Sequence, residues 1–344
     1  MFKIGENIIL KNTYTNISIK NKKVSVLAPA RLHLTAMNPS KMVLGQLGGG
    51  GIGLALDLKN IIKIEYLPNS TEDIILHPKR AVIEHCLIIM RKLFGTTTYF
   101  KVDVQFDENM SEHCGLASNS MLSNAIIYGV NYIFGDFFSK EELIEILDNN
   151  FVEEQNGFLV RDICTGIAHN VCSLGGLCIV SDSGKLIKKF NFSNDYKVFL
   201  IKTSKVNHIS NIKTEENIVD LLKKYDTNIY ENSYKILNEI IPDLNKNNFE
   251  SLFKYNYFTQ YVANTKNISD YYFINDLPVR KVLFNFENLP NVMAGLSTNA
   301  KFIYVISSDV GLIENICINQ NLDYKLYSVN NNGVCIINNK NKGN

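Results

Sequence analysis

Apolar and polar positions divide the chain into short strands and helices of a few turns. Residues 7–28 alternate loosely and predict two or three short antiparallel strands, the last over residues 24–28. Pro29 closes that strand, because proline has no N–H to give a central ladder. Arg31-Leu32-His33-Leu34-Thr35 keeps a period of two, so Arg31, His33 and Thr35 share one face and Leu32 and Leu34 the other. Residues 61–66 read as a further strand. Val82, Ile83, Cys86, Leu87, Ile89 and Met90 recur at helical spacing and predict a helix over residues 79–93 that stops near Gly95. Residues 97–106 return to strand character and residues 121–134 to helix. Ser139 and Glu142 stand at capping-box spacing before a helix that runs to about Leu147, and residues 151–158 predict another helical piece.

Residues 177–180 predict a strand followed by a turn at residues 181–184. The polar, turn-rich span 191–196 marks a boundary, giving two expected domains, 1–190 and 191–344. In the second, strands are expected at 198–201, 302–307, 323–328 and 333–337, and helices at 215–224, 234–241, 249–265 and 310–315. Residues 281–286 fit a strand or a helix equally. Strands and helices mixed in both halves predict an α+β fold.

Composition narrows the function classes. A chain of 344 residues accommodates two domains. With 35 Lys plus Arg against 34 Asp plus Glu, it lacks the global positive field of a nucleic-acid binder. Its seven cysteines are scattered with no CxxC pair, which argues against a structural zinc site or a secreted disulfide framework and fits a reducing cytoplasm. No apolar run reaches bilayer length, so a soluble protein without a membrane partner is expected. Arginine occurs only at 31, 80, 91, 161 and 280. Arg31 and Arg161 stand beside polar motifs, where a guanidinium fork suits a carboxylate or a phosphate.

The stretch most able to carry chemistry is Ser111-Glu112-His113-Cys114-Gly115-Leu116-Ala117-Ser118-Asn119-Ser120. Strand, small-residue turn and helix follow in that order, leaving unpaired N–H groups at a helix start that can face an anion. Ordinary capping explains the same residues, and the pattern leaves both readings open. Four consecutive glycines, residues 48–51, call for close backbone approach, by a ligand or by a crossing chain. Two further polar turns, Thr165-Gly166 and Gly295-Leu296-Ser297-Thr298, have similar texture. Glu153 and Glu154 could reach a magnesium ion held by phosphates or could form a solvated face. His169 reads as a hydrogen-bonded structural group.

In combination these motifs resemble the GHMP kinase superfamily, and within it the beta-ribofuranosylaminobenzene 5'-phosphate synthase family. The resemblance rests on residues 31–35, 50–56, 112–120, 165–168 with Gly175-Gly176, and 295–299, in that order. It implies a two-domain α+β fold with mixed and antiparallel sheets and packed helices. It also implies condensation of phosphoribosyl pyrophosphate with 4-aminobenzoate or 4-hydroxybenzoate, a glycosyltransferase reaction on the route to a methanopterin-like cofactor. Catalytic positions carried over are Arg31, His33, His113 and Arg161. Substrate and phosphate contacts fall on Thr35, Gly50, Gly51, Gly115, Leu116, Ala117, Ser118, Asn119, Ser120, Thr165, Gly166, Ser297 and Thr298. Glu154 and Ser120 would hold Mg2+, and a homodimer is implied. Alternatives from the same resemblance are an ATP-dependent small-molecule kinase and a non-catalytic binding protein of the fold. Two departures bear on the kinase: Ala168 stands where mevalonate-kinase-like members carry an aspartate that deprotonates or orients the acceptor hydroxyl, and Ala117 replaces a loop glycine.

Overall fold

The computed structural model describes residues 2–15, 17–110, 115–155, 158–202, 229–255, 277–287, 289–298 and 301–337. Two antiparallel-dominated sheets organise it. The first has seven strands and the second four.

The first sheet is built on two long neighbours, β1 (Lys23–Ala36) and β2 (Gly51–Leu67), paired antiparallel from Lys23↔Glu65 to Ala36↔Gly51. β1 continues through Pro29, contrary to the sequence expectation of a stop. The ladder shifts register between Ala28 and Ala30, so the missing N–H falls at an irregularity where no ladder bond is required. Among the described residues of 8–22 no strand is formed, and Ile8, Leu10, Tyr14, Ile17 and Ile19 pack against the core instead. After β3 (Ile74–Leu76) comes α1 (Arg80–Phe94), ended as predicted by a left-handed Gly95 whose N–H donates to Arg91 O. β4 (Tyr99–Gln105) pairs with β2 on one side and, in parallel, with β3 on the other.

Helix α2 (Ser118–Ile133) lies on β1 and β2 beside α1. Its residues are buried nearly all round, as befits a helix enclosed by sheet and helices. α3 (Lys140–Asn149) begins with the predicted capping box between Ser139 and Glu142. The described residues of 151–158 do not form the expected helix. β5 (Glu153–Gln155) and β6 (Phe158–Val160) pair antiparallel instead. α4 (Ile167–Leu174) then packs between α2 and the sheet, and β7 (Leu177–Val180) and β8 (Leu186–Phe190) complete the sheet beside the first residues of β2.

The second sheet has the order β10 (Val292–Leu296), β11 (Phe302–Ser307), β9 (Lys197–Lys202) and β12 (Tyr324–Ser328), all antiparallel. Helices Leu277–Glu287 and Val310–Asn319 accompany it, and residues 281–286, undecided from sequence, are helical. The predicted helix at 215–224 and most of that at 249–265 lie outside the described residues. The change of sheet falls between Phe190 and Lys197. The division is not strict, because β13 (Cys335–Ile336) returns to pair with β1 in the first sheet. Among the described residues no helix is long and apolar enough to cross a membrane. The architecture is α+β, with mixed and antiparallel sheets and packed helices.

Candidate functional site

The turn into α2 is set by two left-handed residues, Gly115 (φ +76°) and Ala117 (φ +60°). Between them Leu116 is fully buried, so its side chain anchors the turn in the core, and its carbonyl accepts a 3.1 Å hydrogen bond from the Arg31 N–H of β1. The helix that follows has no side-chain cap. Its first intrahelical bond is Met121 N–H to Ala117 O, which leaves the N–H groups of Ser118, Asn119 and Ser120 without intrahelical acceptors. The hydroxyls of Ser118 and Ser120, though nearly buried, have no partner among the described residues. A helix of this length with a bare N-terminus carries partial positive charge there, and backbone N–H and hydroxyl donors converge with it.

A full cation reinforces that charge. Lys79, only 2% exposed, donates from Nζ to Asn119 Oδ1 in the first turn of α2. Lys79 itself stands at the N-terminal end of α1, where a positive side chain opposes the helix dipole. That misplaced charge is the sequence signal that marks Lys79, a residue outside the motifs that carry the family resemblance. Arg31 supplies a second cation: its Nη1 donates to Thr298 Oγ1 at 3.3 Å, linking the first sheet to the turn after β10.

His33 lies next to Arg31 on β1. Burial, with the Arg31 charge as a second cause, lowers its pKa to about 3, so the ring is neutral throughout the physiological range. An imidazole so weakly basic is a hydrogen-bond partner and a poor proton acceptor. His113 lies outside the described residues.

The other expected positions divide by what packs over them. The glycine run is a chain crossing: a Cβ on Gly50 would meet Ser181 O at 2.1 Å and one on Gly51 would meet Thr35 O at 2.0 Å. Gly50 O also accepts from Met37 N–H and Gly49 O from Asn38 N–H. Thr35 is buried and spends its hydroxyl on Ala36 O. Thr165 and Gly166 start α4, but Gly184 backbone sits 2.8 Å from where a Gly166 Cβ would be, and Thr165 Oγ1 accepts from Ile167 N–H. Ser297 is fully buried and closes the β10–β11 hairpin by accepting from Phe302 N–H at 3.1 Å. Glu154 turns its Oε2 to Val82 N–H at the start of α1, 3.1 Å away, which engages that oxygen in capping instead of magnesium. Arg161 is exposed, covers Gly45 and lines a cavity that includes none of residues 115–120. The structure therefore links Arg31 to Leu116 of the turn and to Thr298, and Lys79 to Asn119 of the same turn, while Thr165, Gly50, Gly51 and Ser297 are engaged by neighbouring backbone and Arg161 lies over Gly45.

Comparison with known proteins places this geometry. Residues 81–160, which contain α1, β4, the turn, α2 and α3, match the family model of the GHMP kinases N terminal domain. No curated protein sequence matches the chain. Solved structures match over nearly its whole length at low identity, and so speak for the fold. A homoserine kinase from Cytophaga hutchinsonii has 15% identity, covers 94% of this chain and 99% of its own, and superposes with a TM-score of 0.64. The Methanococcus jannaschii mevalonate kinase has 13% identity, 93% and 99% coverage and a TM-score of 0.58. The mevalonate diphosphate decarboxylase from Enterococcus faecalis, described with its ATP-binding mechanism, has 12% identity, 92% and 99% coverage and a TM-score of 0.58. These matches overturn the expectation of phosphoribosyl pyrophosphate condensing with an aromatic acid, and with it the glycosyltransferase and methanopterin readings: the solved relatives are kinases and a diphosphate decarboxylase.

Proposed function

Taking the chain as a member of the GHMP kinase superfamily, we propose that it is an ATP-dependent enzyme that transfers the γ-phosphoryl group to a hydroxyl of a small molecule. The observation that carries this reading is the uncapped start of α2, where bare N–H groups, two uncommitted serine hydroxyls and the buried Lys79 ammonium converge. Together they offer a diphosphate both directed donors and net positive charge.

In the proposed reaction the acceptor oxygen attacks the γ-phosphorus, the bond to the β–γ bridging oxygen breaks, and the acceptor proton leaves to solvent or to the transferred phosphoryl group. The leaving β-phosphate gains charge as that bond lengthens, and the α2 start and Lys79 stabilise it there. Arg31, held by Thr298 from the second sheet, positions an anionic group of the acceptor or the transferring phosphoryl oxygens. Ala168 supplies no base, and His33 is too weak to be one. A loose phosphoryl-transfer transition state depends mainly on alignment and charge stabilisation, so the reaction loses less from this absence than a reaction that needs a strong nucleophile. Magnesium would enter with the nucleotide and neutralise phosphate charge. The uncommitted Ser120 hydroxyl fits as one of its oxygen ligands, whereas Glu154 has an oxygen engaged at Val82.

The direct test is ADP release from MgATP with a panel of small hydroxy acids, amino alcohols and isoprenoid alcohols. Acceptor-dependent ADP release that vanishes in Arg31→Ala is expected. Failure of the folded protein to bind MgATP at all would remove the proposal.

A further inference from the structure

Away from the turn, the C-terminus of α3 and the chain leading into α4 bring three chemically unlike side chains together in the core. Asp148 Oδ1 accepts from both neighbours: His169 Nδ1 lies 2.7 Å away and Cys164 Sγ 3.7 Å away. One ligating atom from each residue falls within 4.8 Å of the other two, and all three residues are buried. We propose that Asp148, Cys164 and His169 form a binding site for one thiophilic divalent metal ion, of the zinc class, separate from the nucleotide's magnesium.

Three observations support the site. The first is geometric. A tetrahedral zinc ion with ligand bonds of about 2.0–2.3 Å holds its donor atoms roughly 3.2–3.8 Å apart. The Asp148–Cys164 separation lies at the upper end of that spacing, and the Asp148–His169 pair needs to open by only about half an ångström. The second is charge. Two potential anions, the Asp148 carboxyl and the Cys164 thiol, are enclosed here side by side. A divalent ion with one carboxylate, one thiolate and one neutral imidazole sums to zero, the cheapest charge to enclose.

The third is access. Asp148 and Cys164 both line a cavity of about 30 Å³, shared with Leu47, His85, Arg161 and Asp162, which leaves room for a water in the fourth position. The backbone around the sulfur is also fixed, since Gly48 N–H donates to Cys164 O.

On loading, the Cys164 S–H proton goes to solvent as the metal–sulfur bond forms. If the carboxyl is protonated, its proton leaves as well. Imidazole binds through a nitrogen lone pair with its single proton on the other nitrogen, so nothing is oxidised or reduced.

The site is independent of the proposed phosphoryl transfer, since none of its residues belongs to the Gly115–Ser120 turn. Its test is cobalt and zinc uptake by the purified full-length protein, followed by metal analysis and absorbance. One equivalent of Co2+ should bind and give a thiolate-to-cobalt charge-transfer band with tetrahedral visible absorption. The band should vanish in Cys164→Ser and persist in Cys335→Ser, a control at the partly exposed cysteine. Zinc should raise the melting temperature of the wild type and leave that of Cys164→Ser unchanged. Where Cys164→Ser does not fold, the wild-type band and its competition by stoichiometric Zn2+ decide the matter. A folded wild type that takes up no cobalt, or whose band survives in Cys164→Ser, overturns the proposal. Loss of metal binding would leave ATP-dependent turnover as a separate question, and absence of ATP binding would not touch this site.

Discussion

Two helix starts in this protein look alike in sequence and differ in what the fold lays over them. Gly115-Leu116-Ala117-Ser118 and Cys164-Thr165-Gly166-Ile167 each pass through a left-handed residue into a helix, with φ of +60° at Ala117 and +75° at Gly166. At α4 the start is closed: Gly184 backbone packs on Gly166, and Thr165 caps Ile167 N–H. At α2 no side chain caps the helix, and a buried lysine approaches from α1. Turn texture therefore marks where an anion could bind, and packing decides whether it can. The resemblance treated both turns as ligand contacts; at the α4 start Thr165 takes up the Ile167 N–H, whereas at the α2 start no side chain takes up a first-turn N–H.

That contrast can be broken from either side. The largest effect is expected at the closed turn. Gly166→Ala forces a side chain into a left-handed conformation against Gly184 backbone, and should lower unfolding free energy by about 3 kcal/mol, read from denaturant midpoints. At the open turn, Lys79→Met removes the charge without removing the stem. It should reduce kcat/KM for MgATP roughly 100-fold, about 2.7 kcal/mol of transition-state stabilisation, with the fold intact by circular dichroism. An unchanged kcat/KM would mean that Lys79 only buttresses Asn119.

Acid provides a third, somewhat smaller handle, on the frame that holds both turns. His85 on α1 accepts a hydrogen bond at Nδ1 from Gly5 N–H, which requires a neutral ring, and burial with the Lys92 charge lowers its pKa to about 4. Its folded pKa lies below the unfolded value near 6.5, so its stabilising contribution is complete above pH 6.5 and is lost as pH falls toward 4. At pH 5 the loss should be about 2 kcal/mol relative to pH 7, and His33 adds a loss of the same sign that continues to about pH 3. Chemical denaturation at the two pH values measures it, and His85→Gln should shallow the slope because glutamine can accept from Gly5 without titrating. The smallest effect is expected at Ala117. Ala117→Gly relieves a non-glycine left-handed residue but adds unfolded-state entropy, and should stabilise by less than about 1 kcal/mol.

Much of the frame was legible in the chain because local rules agree with the global fold there. The 3.6-residue apolar spacing of α1, its Gly95 stop and the Ser139–Glu142 box each specify one outcome by short-range chemistry. What was hidden depends on distant partners. Pro29 read as a stop because the register shift that accommodates it is set by β2, about thirty residues on. In the stretch 151–158, β5 pairs with β6 and Glu154 accepts from Val82 N–H at the start of α1, a partner some seventy residues away that local spacing does not reveal. The candidate site follows the same division. The Gly115–Ser120 turn is contiguous and could be read directly. Lys79 is forty residues upstream, and only the packing of α1 on α2 brings it there. The glycine run, conspicuous in sequence, is consumed by the crossing of β2 under Ser181 and Thr35.

Calorimetric titration of MgATP into the wild type and into Lys79→Met tests the central claim most directly. The account predicts saturable one-to-one binding to the wild type that weakens at least tenfold in Lys79→Met while both proteins melt cooperatively. Equal binding by the two proteins, or none by a folded wild type, would contradict the claim that the open start of α2 is where a nucleotide phosphate sits.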